Sequence, residues 1–127
     1  MINLRRKYGL IFCSLNLEIN HQNFSLDNVM IDTGCASTIL NSDFVPLDGS
    51  EEITFAFGVG GRETILDKNI SNFKVNEFIV NKSKVNLGEV DYGIDIDCIL
   101  GLDVLDHLNA IISLDSMTLE FKVSNEM

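Results

Sequence analysis

The chain is short of cations. Nine Lys and Arg residues stand against nineteen Asp and Glu, for a formal net charge of −10 and a pI near 4.4. Recognition of phosphate needs a basic footprint, so nucleic acid and anionic membranes are not expected partners. The surplus carboxylates read as a solvated acidic surface. No apolar run approaches the length of a transmembrane helix. Arg5-Arg6-Lys7 ahead of Leu10-Ile11-Phe12-Cys13 has the outline of an export signal. However, Ser14, Asn16 and Glu18 interrupt the apolar stretch, and no small-x-small cleavage site follows. Cysteine is scarce and odd in number. Cys13, Cys35 and Cys98 lack paired spacing, which argues against a disulfide framework and for a reducing, cytoplasmic compartment. The two histidines, His21 in a turn and His107 in a helical stretch, have no neighbouring Cys or Ser to build a hydrolase triad. Proline occurs once, and there is no repeat, linker or low-complexity segment.

What is present has mostly a period of two. With 127 residues, 46% of them apolar, the chain is expected to form one domain, 1–127, with its own core. Ile11, Cys13, Leu15, Leu17 and Ile19 alternate with Phe12, Ser14, Asn16 and Glu18, the pattern of a half-buried strand. The turn chemistry of Asn20-His21-Gln22-Asn23 leads to a return strand over 24–31. Ile53, Phe55, Phe57 and Val59 lead to a glycine turn with a second hairpin arm over 62–66. Further strands are expected over 72–80 and 83–87, with 94–100 running into Gly101. A final hairpin over 110–114 and 118–123 turns at Asp115-Ser116, with Leu119, Phe121 and Val123 on one face. The one short helix falls near 103–109, with Asp103 at its start, where capping and the helix dipole favour an acid. Many short strands and a single proline suit an all-β, barrel-like domain.

The most informative stretch is Val29-Met30-Ile31-Asp32-Thr33-Gly34-Cys35-Ala36-Ser37-Thr38-Ile39-Leu40. Three apolar residues carry a carboxylate out of a buried strand, where it is costly unless paired or used. Thr33 adds a hydroxyl, and Gly34 allows a sharp turn and a close approach. Two features follow in order: the glycine cluster Phe57-Gly58-Val59-Gly60-Gly61, and Ile99-Leu100-Gly101-Leu102-Asp103-Val104-Leu105.

From about Leu10 to Val123 this order resembles the retropepsin-like aspartic proteases. It looks closer to their cellular and bacterial members than to the viral ones. The resemblance implies a closed barrel of short strands with a flap hairpin. It also implies an aspartic endopeptidase in which a water is activated by two Asp32 carboxylates, one from each copy of a homodimer. The chain has one Asp-Thr-Gly and no second Asp-Thr-Gly or Asp-Ser-Gly, so a dyad needs two copies, and two-fold pairing brings equivalent residues together. By the resemblance Asp32, Thr33 and Gly34 are the catalytic residues, with Thr33 locking the two loops across the axis and Gly34 lying under the substrate backbone. Cys35, Ala36, Gly58, Val59, Gly60 and Gly61 would contact an extended polypeptide substrate, bound with apolar residues about the cleaved bond. No metal or cofactor is implied. The helix-start residue, here Asp103, would brace the active-site loop.

The glycine cluster also reads simply as a hairpin turn. A phosphate loop is disfavoured, since no Lys-Ser/Thr follows and no helix begins there. Arg62-Glu63 just after the turn departs from the viral flap. Cys35 departs too, standing where Ala or Ser is usual. Beside the groove it reads as a small apolar filler or as a redox-sensitive thiol. Asp91, Asp95 and Asp97 lack the glycine and terminal glutamate of a calcium loop. Three rival readings stand beside the peptidase: a catalytically silent dimeric peptide-binding module of the same fold, a structural domain whose termini pair between chains, and one half of a hetero-pair.

Overall fold

The computed structural model describes residues 1–45, 47–58, 61–90 and 93–122. In chain order the strands are β1 (Ile2–Asn3), β2 (Arg5–Lys7), β3 (Leu10–Ile19), β4 (Gln22–Ile31), β5 (Ile39–Asn41), β6 (Glu52–Gly58) and β7 (Gly61–Asn69). There follow β8 (Phe73–Val75), β9 (Phe78–Ile79), β10 (Lys84–Gly88) and β11 (Cys98–Leu100), then helix α1 (Leu102–His107), β12 (Ile111–Ser113) and β13 (Thr118–Glu120). The all-β class is as the alternation predicts, and the one helix lies where it was expected.

The β3–β4 hairpin is the longest pairing and carries the chain to Asp32. Its turn uses Asn20 (φ 50°) and His21 (φ 66°), two successive left-handed residues that match the twist of the flanking strands. Leu15, Leu17 and Ile19 point inward while Ser14 and Asn16 face water. A register irregularity between Cys13 and Leu15 breaks this alternation, and Phe12 and Cys13 are both buried. Phe12 joins a small cluster with Met30, Cys35, Ile39, Ile65, Val90, Ile96 and Ile99. Cys13 joins the main core, which runs through Leu17, Val29, Leu100, Leu108 and Leu119.

Residues 72–80 do not make one strand. Asn76, at φ 53°, folds them into the short hairpin β8–β9. Ten strands form one sheet ordered β6-β7-β10-β5-β11-β4-β3-β8-β9, with β2 alongside β3. Its path ends at β6 and β9 with no pairing between them among the described residues, so the expected closed barrel is corrected to an open sheet. The end strand β9 has only two residues to offer a closing partner.

A second sheet, β1-β13-β12, joins the two ends of the described chain. Ile2 opposes Leu119, so the terminal strands pair within one chain. The rival reading in which the termini pair between chains finds no open edge on β13, which has both neighbours already. Leu119 and Phe121 are buried as expected; Val123 lies outside the described residues.

Cys13 and Cys98 both oppose Val29, from its two sides. Two strand spacings separate their backbones, about 9.6 Å, beyond the roughly 7 Å that a disulfide spans. All three cysteines are buried. Burial pushes the Cys13 thiol up to about 12, against a smaller opposing pull from Arg5, and pushes Cys98 up further. Among the described residues, no helix is long and apolar enough to cross a membrane.

Candidate active site

Asp32 stands where β4 ends, and the topology explains its setting. β4 and β5 flank the loop 32–38, yet they do not pair with each other. β11 lies between them, parallel to β4 and antiparallel to β5. The segment after β11 therefore passes directly behind the Asp32 loop. Asp32 N–H donates to the Leu100 carbonyl at 3.0 Å, Leu102 N–H to that of Cys35 at 2.8 Å, and Asp103 N–H to that of Ala36 at 3.3 Å. The loop is thus fastened by backbone along its length.

Asp32 itself is half-buried, and Thr33 and Gly34 are exposed. Its Oδ1 accepts the Gly34 N–H at 2.9 Å, while the Cys35 N–H donates to its carbonyl at 3.2 Å. These bonds hold the carboxylate over a tight turn. The exposed Thr33 borders a cleft of about 380 Å³ whose wall includes Leu102, Leu105, Ala110 and Ile112.

Gly101 is needed here for space, not for conformational freedom. Its φ of −93° suits any residue. A Cβ, however, would lie 2.6 Å from the Ser37 carbonyl carbon and oxygen and 2.8 Å from the Cys35 oxygen. Only hydrogen lets the two segments approach so closely.

Thr38 fastens the far end of the loop. It is 3% exposed, one of two buried polar residues among those described. Its Oγ1 donates to Asp103 Oδ1 at 2.7 Å and accepts the Gly101 N–H at 2.9 Å, and its N–H donates to the same Oδ1 at 2.9 Å. Asp103 does not cap the helix; Gly101 is the cap residue, and Asp103 is the second residue of α1. Its carboxylate also accepts the Val104 N–H at 2.8 Å and pairs with the Lys82 ammonium. Burial alone would push the Asp103 carboxyl up. The hydrogen bonds from Lys82 and Thr38 outweigh it and hold the group below the usual carboxylate range.

The remaining predicted residues divide. Ala36 is exposed. Cys35 is not presented to a groove: its side chain is 9% exposed, packs in the small cluster, and donates its thiol to the Ser37 carbonyl at 3.1 Å. The exposure expected of that thiol is corrected, and the packing reading is the one that fits. Gly58 and Gly61 form the last pair of the β6–β7 hairpin, while Val59 and Gly60 lie outside the described residues. The hairpin is tied to the site through Ile65, which shares the small cluster with Cys35 and Ile39. At its base Lys68 is buried between Asp48 at 3.1 Å and Glu51 at 2.9 Å.

Among the described residues no group of three or more His, Cys, Asp and Glu is arranged to hold a metal ion. Asp97 has a structural task instead: its carboxylate accepts the N–H groups of Asp27 at 3.1 Å and Asn28 at 3.0 Å. Asp91 lies outside the described residues. Sequence reasoning missed Lys82, which is 21 positions from Asp103 and belongs to no motif. The bracing expected of Asp103 runs through Thr38, which the sequence did not single out. No family model matches the chain, and no curated protein matches it.

Proposed function

We propose that the protein is an aspartic endopeptidase of the retropepsin-like kind, acting as a homodimer on extended polypeptides. The observation that carries this reading is the Asp32-Thr33-Gly34 turn. It is anchored from behind through Leu100, Gly101 and Leu102, with Thr33 and Gly34 exposed in front. A carboxylate held over such a turn can meet its two-fold equivalent. Two carboxylates that close share one proton, because both cannot ionise cheaply. The ionised one takes a proton from a trapped water. The protonated one hydrogen-bonds and polarises the scissile carbonyl, and the tetrahedral intermediate collapses as a proton passes to the leaving amine.

The surface beside Thr33 supports pairing of two copies. Leu102 is 48% exposed, a large apolar group lining the same cleft as Thr33, a residue that the mechanism needs at the axis. In the proposed dimer this cleft is the surface at which the second copy would meet Thr33. The β6–β7 hairpin suits a flap whose backbone holds substrate as an added strand. Cys13 and Cys98, buried and out of bridging reach of each other, suit a reducing cytoplasm.

The test is turnover of a diverse peptide library, with and without a statine peptide that mimics the tetrahedral intermediate. Cleavage that the statine peptide blocks supports the reading. Statine binding with no cleavage would favour the silent peptide-binding module, and neither would defeat both.

A further inference from the structure

We propose that Lys82 is a positioning residue for the Asp32 loop, acting through the Asp103 carboxylate and Thr38; the proposal rests on the peptidase reading of Asp32. The two oxygens of Asp103 have separate tasks. Oδ1 accepts from Thr38 N–H, Thr38 Oγ1 and Val104 N–H, and so fastens the loop to α1. Oδ2 faces the Lys82 ammonium. The pair is only partly wet, with side chains 20% and 26% exposed for Asp103 and Lys82. Without the ammonium, this carboxylate keeps a poorly solvated charge with no counter-charge. Its two routes of relief are to turn toward water or to take a proton. Either loosens Oδ1 from Thr38, and with it the Gly101 N–H that Thr38 Oγ1 accepts.

Lys82 is well placed to hold its partner still, because the connection that carries it is itself anchored. Lys82 N–H donates to the Val80 carbonyl at 2.9 Å, Val80 N–H to that of Phe73 at 2.9 Å, and Ile70 N–H to that of Ser83 at 2.9 Å. The route from β8 to the loop is therefore a chain of direct contacts: Val80, Lys82, Asp103, Thr38. Its far end is the same loop whose first residue donates to Leu100. A carboxylate dyad on a symmetry axis tolerates little displacement, since misplacement by about 1 Å costs on the order of a hundredfold in rate.

The experiment compares wild type, Lys82→Met and Lys82→Arg in the full chain. Amide hydrogen exchange by NMR reads the network directly, because the N–H groups of Thr38 and Gly101 donate into it. In Lys82→Met these two amides should exchange about tenfold faster or more relative to Leu17 and Phe24 in the β3–β4 hairpin. The kcat should fall by about tenfold or more with KM within about twofold. Lys82→Arg should restore both, as it keeps the charge. Unchanged exchange at Thr38 and Gly101 in Lys82→Met, or an equal rise throughout the chain, would overturn the proposal. A wild-type protein without turnover would defeat the peptidase reading instead, and the exchange pattern alone would then decide whether Lys82 governs the loop.

Discussion

Replacing Gly101 with Ala adds one methyl group at the tightest point behind the site. Ala is comfortable at a φ of −93°, so the backbone conformation costs nothing. The methyl would meet the Ser37 carbonyl carbon and oxygen at 2.6 Å and the Cys35 oxygen at 2.8 Å. All three are backbone atoms, so no side chain can swing aside. The loop has to move, and moving it strains the Leu102-to-Cys35 and Gly101-to-Thr38 hydrogen bonds. Overpacking of this kind costs about 1–3 kcal/mol. The contacts are with backbone on two residues, which puts this case at the upper end. Ala also lowers the entropy of the unfolded chain, which offsets about 0.4–1 kcal/mol. The net expectation is a loss of about 2 kcal/mol, measured as the midpoint shift in urea unfolding followed by circular dichroism. Gly9→Ala provides the contrast. Gly9 has a φ of 73° and nothing within 4 Å of an added Cβ. It should lose about 1 kcal/mol from the left-handed backbone alone, with peptide turnover intact, whereas Gly101→Ala should lose turnover as well. A Gly101→Ala protein within about 0.5 kcal/mol of wild type would refute the close packing behind the loop.

On the proposed two-copy dyad, Asp32→Asn should remove peptide cleavage while the protein still folds and sediments as a dimer. Mixed in equal amounts with wild type under proven subunit exchange, it should lower activity per wild-type chain to about half, because random two-fold pairing leaves about a quarter of dimers fully wild type. No loss despite exchange would mean that the site is complete within one chain. Toward an alkylating agent in native buffer, Cys13, Cys35 and Cys98 should all react slowly, and in urea quickly, since each thiol is buried; fast native labelling of Cys35 would contradict its place in the small cluster. In acid, the stabilisation from Asp103 should fade. Its folded carboxyl lies below the ordinary value, so its contribution is full above the unfolded pKa of about 3.9 and is lost as pH falls through the folded value. Urea midpoints of wild type and Asp103→Asn should therefore differ at pH 7 and converge in strong acid, and a constant gap would show that the charge is not the source.

Local chemistry was enough to read much of this chain. The alternation over 11–19, the Asn20-His21 turn, the last hairpin and the short helix each depend on neighbours a few residues away, and each lies close to where the sequence put it. Asp32 was legible for the same reason, because an apolar run ending in a carboxylate and a glycine stands out within a dozen residues. Tertiary structure decided what depends on distant partners. The left-handed turn at Asn76 split residues 72–80 into two strands, and a chain read by alternation alone carries no sign of it. Burial of Cys35 follows from Phe12, Met30 and Ile65 joining its cluster from three strands. Insertion of β11 between β4 and β5 turns Gly101 into a contact surface and Asp103 into the anchor of Thr38. Lys82 belongs to the same group, for an ion pair between positions 21 apart exists only once the connection after β9 is folded against α1. Period and turn chemistry act along the chain, whereas strand order and charge pairing are settled by which surfaces exclude water together.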